Sequence, residues 1–392
     1  MTSHAERVRV VFAIPELDHG GPDRVVFELL TALDRQRFEP ILMVSKRDGY
    51  YLSRLPSDVP VELVEGASAF GQRYPVVGAI RAIRRISPDV VLATQRMSFT
   101  MGIAAAGFPR RTRLLLRQSN DVSTNFAALI GTSRLKHRVA RQLAILTLQR
   151  AHAVICQSHA MQRDLRGLLG AQSALHVIHN PIDIARASRE SAEPVNAPPG
   201  RPSLVSVGRL SAQKGHDVLL HAMAIVKQRH PGVHLTIHGE GPERAALEHL
   251  RRALDLETHV TFAGHTTRPL RHVRASDLFV LASRFEGFPN AALEALAVGT
   301  PVVLTDCPGA NAEIVVAGVN GKLAPAVAPS SMATAIQDAI DELSSYTRTR
   351  ITDDCDARFG SSRIVRAYED LIASSVTGRV QQPAASRRDL SS

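Results

Sequence analysis

The sequence predicts an α/β protein built from two Rossmann-like, doubly wound domains. Three observations predict it. Short β-branched runs alternate with helical stretches from end to end, the pattern of parallel βαβ units. A proline-rich stretch near the middle interrupts the alternation, which then restarts. The chain has 392 residues, more than one compact core fills.

The elements read as follows. Val8–Ile14 is a nearly continuous β-branched run, as expected of a strand buried on both faces. A glycine turn at Gly20-Gly21-Pro22 follows, then a helical stretch to about Leu33 with Val25, Val26, Leu29, Leu30 and Leu33 at helical spacing. Further strands are predicted at Ile41–Val44, Val61–Val64, Val90–Ala93, Arg113–Leu116, Val154–Cys156 and His176–Ile178. Residues 181–202 hold Pro181, Pro194, Pro198, Pro199 and Pro202 and read as a linker between domains 1–180 and 203–376. Strands resume at Leu204–Val207, His234–His238, Val260–Ala263, Leu278–Leu281 and Pro301–Leu304. A last helix near Ser362–Ser374 precedes a polar tail, 377–392, with the composition of a disordered segment.

Composition narrows the class. Apolar residues are 44% and charged residues 21%, an ordinary globular profile. No apolar run approaches the roughly eighteen residues of a membrane span. Met1–Arg9 is polar and lacks the apolar core of a secretory signal. Cys156, Cys307 and Cys355 form neither a metal spacing nor a disulfide framework, so a cytoplasmic location is expected. The net charge is +10, and residues 1–180 carry 24 Lys/Arg against 14 Asp/Glu while the rest is balanced. A basic first half points to an anionic partner. Aromatics at 4%, with no tryptophan, supply no stacking platform, so no nucleic-acid partner is expected.

Open α/β sheets bind ligands outside the carboxyl ends of their strands, so three loops matter. The first is Glu286-Gly287-Phe288-Pro289-Asn290-Ala291-Ala292-Leu293-Glu294, which follows a strand and opens a helix near Asn290. Its helix N-terminus offers unpaired N–H groups and partial positive charge, a seat for a diphosphate. Of its two carboxylates, one lies in the loop to reach a sugar and one in the helix to accept from ribose hydroxyls. The same spacing also arises when two glutamates flank an ordinary helix start. The second loop runs from Val207 to Gly215 and holds Arg209 and Lys214, cations suited to a departing diphosphate, or to a solvated basic loop. The third is Gly20-Gly21, where bare backbone can meet a phosphate or sugar, or simply turn.

These segments, taken in order, resemble the family-4 retaining glycosyltransferases with the GT-B fold. The resemblance rests on Gly20-Gly21 with Arg24, on His179-Asn180-Pro181-Ile182-Asp183, on Val207–Gly215, on Gly239-Glu240-Gly241-Pro242-Glu243, on Val260–Gly264, on Glu286–Glu294 and on Gly299-Thr300-Pro301-Val302-Val303. It implies two domains facing across a cleft, with the C-terminal helix crossing back to the first. It also implies roles. Arg209 and Lys214 bind the donor diphosphate, Glu286 contacts the donor sugar, and Glu294 the ribose. The backbone near Gly264 holds the base, the amides of Phe288 to Ala291 cap the phosphates after Gly287 allows close backbone approach, and Gly21, beside Gly20, faces the reacting centre. The expected reaction moves a hexose or N-acetylhexosamine from a nucleotide-sugar, UDP-linked by resemblance, to a glycan or lipid-linked acceptor. The nucleotide-sugar is a substrate, and neither cofactor nor metal is expected; Asp354-Cys355-Asp356 reads as exposed helix surface rather than a metal site, and the sixteen histidines show no ligand spacing.

Two departures from the family pattern stand out. Its Gly-Gly-Ala-Glu-Arg turn is Gly20-Gly21-Pro22-Asp23-Arg24 here, and proline suits a helix's first turn. Where many members carry a histidine near the acceptor, this chain reads Leu116-Arg117-Gln118-Ser119-Asn120-Asp121. Arg117 and Asn120 read either as contacts for an acceptor phosphate or donor sugar, or as part of a loop held by an Arg–Asp pair. Ser133–Arg150 reads as a basic helix whose stripe Leu135, Val139, Leu143, Leu146 lies either on an anionic membrane or on the first domain's core. A nucleotide-sugar epimerase of the same architecture and a non-catalytic nucleotide-sugar binder are the competing functions.

Overall fold

The structure is a computed structural model that describes residues 7–18, 20–64, 75–118, 134–170, 173–196 and 198–378. It divides into two compact units. The first comprises Met1–Gln157, Gln162–Ile178 and Ile364–Ser392; the second comprises Ser158–Met161 and His179–Arg363.

The first unit is a seven-stranded parallel sheet: β1 (Val8–Ala13), β2 (Phe38–Val44), β3 (Val61–Leu63), β4 (Val90–Thr94), β5 (Arg113–Arg117), β6 (Ala153–Cys156) and β7 (Leu175–Val177), in the order β3-β2-β1-β4-β5-β6-β7. β1 alternates its side chains between two covered faces, which is why its sequence is apolar throughout. Val10 and Phe12 join a core with Val25, Val26, Leu29 and Leu30 of helix α1 (Gly21–Ala32). Ile364, Val365, Tyr368, Leu371 and Ile372 of the C-terminal helix enter the same core. Full burial of one such side chain is worth roughly 1.5–3 kcal/mol, so this helix is an integral layer of the first unit, as the resemblance implies. Its Glu369 also accepts the Asp34 N–H at 2.8 Å. Between β1 and the end of the sheet lie α2 (Val76–Ile86), α3 (Arg96–Ala104), α4 (Arg134–Gln149) and α5 (His159–Leu169), the last beginning on residues assigned to the second unit.

The second unit is a six-stranded parallel sheet: β8 (Ser203–Val207), β9 (His234–His238), β10 (Val260–Gly264), β11 (Leu278–Leu281), β12 (Val302–Thr305) and β13 (Gly321–Ala324), in the order β10-β9-β8-β11-β12-β13. One face (Leu204, Leu235, Ile237, Val260, Leu278, Val280, Val303) packs with α7 (His216–Arg229) and α12 (Pro329–Asp341). The other (Val205, Phe279, Leu281, Val302, Leu304) packs with α9 (Pro269–Ala275), α10 (Asn290–Ala297) and α13 (Arg348–Phe359). α8 (Arg244–Ala253) and the short α11 (Asn311–Ile314) complete the set, and α14 is the C-terminal helix Ser361–Thr377.

Three expectations differ from what is seen. Part of the 181–202 linker is structured: α6 (Ile184–Glu190) starts on Asp183, whose carboxylate accepts the Arg186 N–H at 2.9 Å. Ile182 is buried and pairs with Gly360. The prolines of 194–202 marked the irregular part alone, and the Asp183 cap is the signal that was passed over. β13 was not anticipated; it is four residues long, and Gly321 lies so close to Val302 that a Cβ would come within 1.9 Å of its carbonyl oxygen. Finally, Asp354 is not mere exposed surface: it pairs with Arg358 at 3.0 Å and accepts from Asn320 at 3.0 Å, while Cys355 is fully buried. The expected tail falls almost wholly outside the described residues.

Candidate functional site

In a parallel sheet, ligands gather where neighbouring strands send their chain in opposite directions. In the second unit that point lies between β8 and β11. The loops leaving these two strands are bonded to each other. Arg284 N–H donates to the Gln213 carbonyl at 2.8 Å, and the Gln213 amide donates to the Phe285 carbonyl at 3.1 Å. The Arg284 guanidinium grips both oxygens of Asp217, at 2.8 and 2.6 Å. Gly215, with φ +61°, is required here, because a Cβ would stand 2.0 Å from the Ala282 carbonyl oxygen.

This junction delivers Lys214 to Glu286. Lys214 Nζ donates to Glu286 Oε1 at 2.6 Å, and Ser283 Oγ donates to the same oxygen at 2.6 Å. Glu286 is 5% exposed, so these two donors satisfy an oxygen that water barely reaches. Sequence reasoning picked out Lys214 and Glu286 but passed over what holds them. Ser283 is fixed by Thr305, whose hydroxyl donates to the Ser283 carbonyl at 2.6 Å. Glu286 N–H donates to the Pro308 carbonyl at 2.9 Å. Gly309, φ +131°, packs so tightly that a Cβ would lie 1.7 Å from the Glu286 carbonyl oxygen. A Pro-Gly pair just past a predicted strand was the available signal. Cys307 beside it is no nucleophile: burial, then the Glu286 charge, push its thiol up to about 12.

The remaining residues of the predicted set line neighbouring strand ends. Arg209, in the loop after β8, is exposed. Gly287, Phe288 and Pro289 are buried, leading into α10, whose first amides no side chain caps. Asn290 and Ala291 open that helix, half-buried, with Glu294 one turn on. The Asn180 amide donates to Asn290 Oδ1 at 2.7 Å, which fixes the helix start. Gly264 ends β10 with φ +74° and accepts the Gly239 N–H at 2.9 Å. The loops after β8, β10 and β11 therefore carry paired charge, an exposed cation and a helix start without a side-chain cap.

In the first unit the corresponding point lies between β1 and β4. Gly20 and Gly21 open α1 there, with Pro22 tolerated in its first turn. Buried Asp23 accepts from the Gly20 N–H at 3.1 Å and from the Gln95 amide at 2.5 Å. A side chain at Gly20 would strike that carboxylate at 2.7 Å. Gln95 adopts φ 53°, ψ −138°, a strained conformation for any residue but glycine, at the end of β4. Burial raises the Asp23 pKa above the ordinary carboxylate value, against the hydrogen bond from Gln95. Gln95 was not anticipated.

Arg117 requires a correction. It is the last residue of β5, its side chain is wholly buried, and it donates to the Tyr368 hydroxyl at 3.1 Å and to Thr94 Oγ1 at 3.3 Å. It ties the strand to α14 inside the first unit and offers no surface to an acceptor phosphate. The strand extends one residue further than predicted, so Arg117 shares the inward face of Leu115. Asn120 and Asp121 lie outside the described residues. In α4, Ile145, Thr147 and Leu148 face inward, while Leu143 and Leu146 are 42% and 49% exposed. The apolar stripe of that helix does not pack on the core at these two positions, and Arg138 and Arg141 are exposed beside it. Among the described residues no helix is long and apolar enough to cross a membrane.

Comparison with known proteins agrees with this architecture. The family profile described as glycosyl transferases group 1 matches residues 188–352, and that of glycosyltransferase family 4 matches residues 19–186. A lipopolysaccharide core biosynthesis glycosyltransferase, LpsE of Rhizobium meliloti, is 26% identical over 359 residues, 91% of this chain and 96% of that one. The glycogen synthase of Mycobacterium tuberculosis is 28% identical over 311 residues, 76% of this chain and 72% of its own length. Anabaena HepE, solved in complex with UDP, superposes with a TM-score of 0.75 at 22% identity, covering 94% of this chain and 100% of that one. Sucrose-phosphate synthase from Thermosynechococcus elongatus superposes with a TM-score of 0.75 at 18% identity over 94% of this chain and 100% of that one. With two doubly wound sheets, paired site loops and both halves matched, the chain belongs to the family-4, group 1 glycosyltransferases of GT-B fold.

Proposed function

We propose that this glycosyltransferase moves a hexose or N-acetylhexosamine from a UDP-sugar, with retention at the anomeric carbon and without a metal in the transfer step. The observation that carries the reading is the Lys214–Glu286 pair at the β8/β11 junction. An ammonium has three donors. One is spent on Glu286, and the others are available to a diphosphate oxygen. Arg209 and the amides at the head of α10 add positive potential to the same seat. Glu286 Oε1 is engaged by Lys214 and Ser283, which orients the carboxylate for a sugar hydroxyl. Glu294 receives the ribose, and the backbone at Gly264 the base. Two further HepE structures, with UDP-glucose and with UDP and glucose, support a UDP donor.

The reaction follows from that seat. The bond from the anomeric carbon to the diphosphate breaks, and Lys214 and Arg209 stabilise the charge that develops on the leaving oxygen. The acceptor oxygen bonds to the anomeric carbon from the same face, and its proton passes to the departing phosphate. Positioning and charge stabilisation do the work, which is why no nucleophile with a partnered base is needed.

We read the acceptor as a glycan or lipid-linked glycan of the cell envelope, met at the inner membrane face. Exposed Leu143 and Leu146 beside Arg138 and Arg141 give α4 an apolar and cationic surface suited to anionic lipid. A Campylobacter jejuni relative, 24% identical over 303 residues (75% of this chain, 79% of that one), is named for transfer to a diphospho-undecaprenol glycan. The test is incubation with UDP-sugars and undecaprenyl-diphosphate glycans, with proton NMR of the new linkage. An α-linked product from an α-linked donor supports the reading. A β-linked product removes retention, and turnover of free UDP-sugar without acceptor makes the protein an epimerase.

A further inference from the structure

We infer that His159, His179 and Glu313 bind a divalent transition-metal ion, with zinc the best chemical match, through ligands that are none of the donor residues. All three belong to the second unit. Each offers one ligand atom, and these atoms lie within 4.8 Å of one another. Two imidazoles and one carboxylate form the three-ligand set of an open tetrahedral zinc site, with the fourth position left for water. The mixed nitrogen and oxygen donors favour zinc over calcium or magnesium, which take oxygen alone. Sequence spacing hid the group, because its members come from three different strand ends: His159 after β6, His179 after β7 and Glu313 in α11 after β12.

The ligands are held from behind. Glu313 Oε2 accepts the His159 N–H at 2.9 Å and Oε1 accepts the Ala160 N–H at 2.8 Å. Each oxygen keeps further lone-pair capacity for a cation, and these bonds orient the carboxylate as outer-shell partners orient metal ligands elsewhere. The His179 ring sits edge-on to Phe359, with centroids 5.4 Å apart, and tilted against Phe288 at 5.6 Å. His159 is exposed, which gives the ion an entry path. The ion takes no part in the transfer step. Its effect is on order: His179 contacts Phe288 and precedes Asn180, which holds Asn290 at the start of α10. That consequence, tighter donor binding when metal is present, rests on the donor reading above; the binding itself does not.

The experiment is titration of the chelator-stripped, full-length protein with cobalt(II), followed by zinc. The expected result is one equivalent of cobalt with the intense visible bands of a tetrahedral site, displaced by one equivalent of zinc. His159→Ala changes an exposed side chain and leaves the fold intact; it and Glu313→Gln weaken cobalt binding by at least about tenfold. Lys214→Ala keeps it, so a failed donor reading leaves this result standing. Absence of tetrahedral bands in the wild type, or equal cobalt affinity in wild type and both site variants, overturns the proposal.

Discussion

Lys214 Nζ and Glu286 Oε1 stand 2.6 Å apart, and the two residues come from the loops that leave adjacent strands β8 and β11. The pair is the point where the second sheet's topology becomes chemistry. Neither residue is adjustable on its own: one is backed by Gly215 against Ala282, the other by Gly309 against its own backbone.

On the proposed reading Lys214→Ala removes a phosphate ligand, and it leaves Glu286 buried with Ser283 as a remaining partner. Transfer is expected to fall by roughly a hundred- to a thousandfold, the range seen when one charge-stabilising donor is lost. Glu286→Gln keeps a neutral acceptor for both Lys214 and Ser283. It is expected to preserve the melting temperature while lowering kcat. Steady-state kinetics and thermal unfolding of both variants check this.

Gly309→Ala changes one hydrogen for a methyl group, yet its Cβ would fall 1.7 Å from the Glu286 carbonyl oxygen at φ +131°. The loop must shift, and Glu286 shifts with it. The expected outcome is a loss of transfer comparable to that of Glu286→Gln, together with a lowered melting temperature.

Gln95→Ala removes the amide that holds Asp23, and with it the restraint on the Gly20 turn. These residues belong to the first unit and the donor set to the second. The variant is expected to lower the melting temperature, through loss of that bond to a buried carboxylate, while leaving the UDP-induced rise in melting temperature unchanged.

His216 opens α7 with both ring nitrogens buried and unpartnered among the described residues. Burial first, then the Lys214 charge, lower its pKa from 6.5 to about 4. Between those values the unfolded chain binds a proton that the folded chain does not. Stability is therefore full above pH 6.5 and falls as the pH drops toward 4, by about 3 kcal/mol for this one group. Urea unfolding across that window should show the slope, and His216→Leu should reduce it.

The sequence made most of the fold legible because buried parallel strands announce themselves as apolar runs; His234–His238 and Leu278–Leu281 have the predicted ends. Lys214 and Glu286 were legible because each lies in the loop that follows such a strand. Ser283, Thr305 and Gly309 were not, because their roles are contacts made across three loops rather than along one. Arg117 was misread because a cation at a strand end is usually solvated, whereas here Thr94 on β4 and the Tyr368 hydroxyl on the returning α14 accept from it inside the core. The His159–His179–Glu313 group was invisible to any search by spacing.

The most direct measurement is the thermal shift of wild type and Lys214→Ala with UDP-, GDP- and ADP-sugars, since a ligand that binds only the folded state raises its melting temperature. The predicted result is a rise with UDP-sugars in the wild type that is lost in the variant. A rise of equal size in both proteins, or none in the wild type with any nucleotide-sugar, would contradict a diphosphate seat at Lys214 and Glu286.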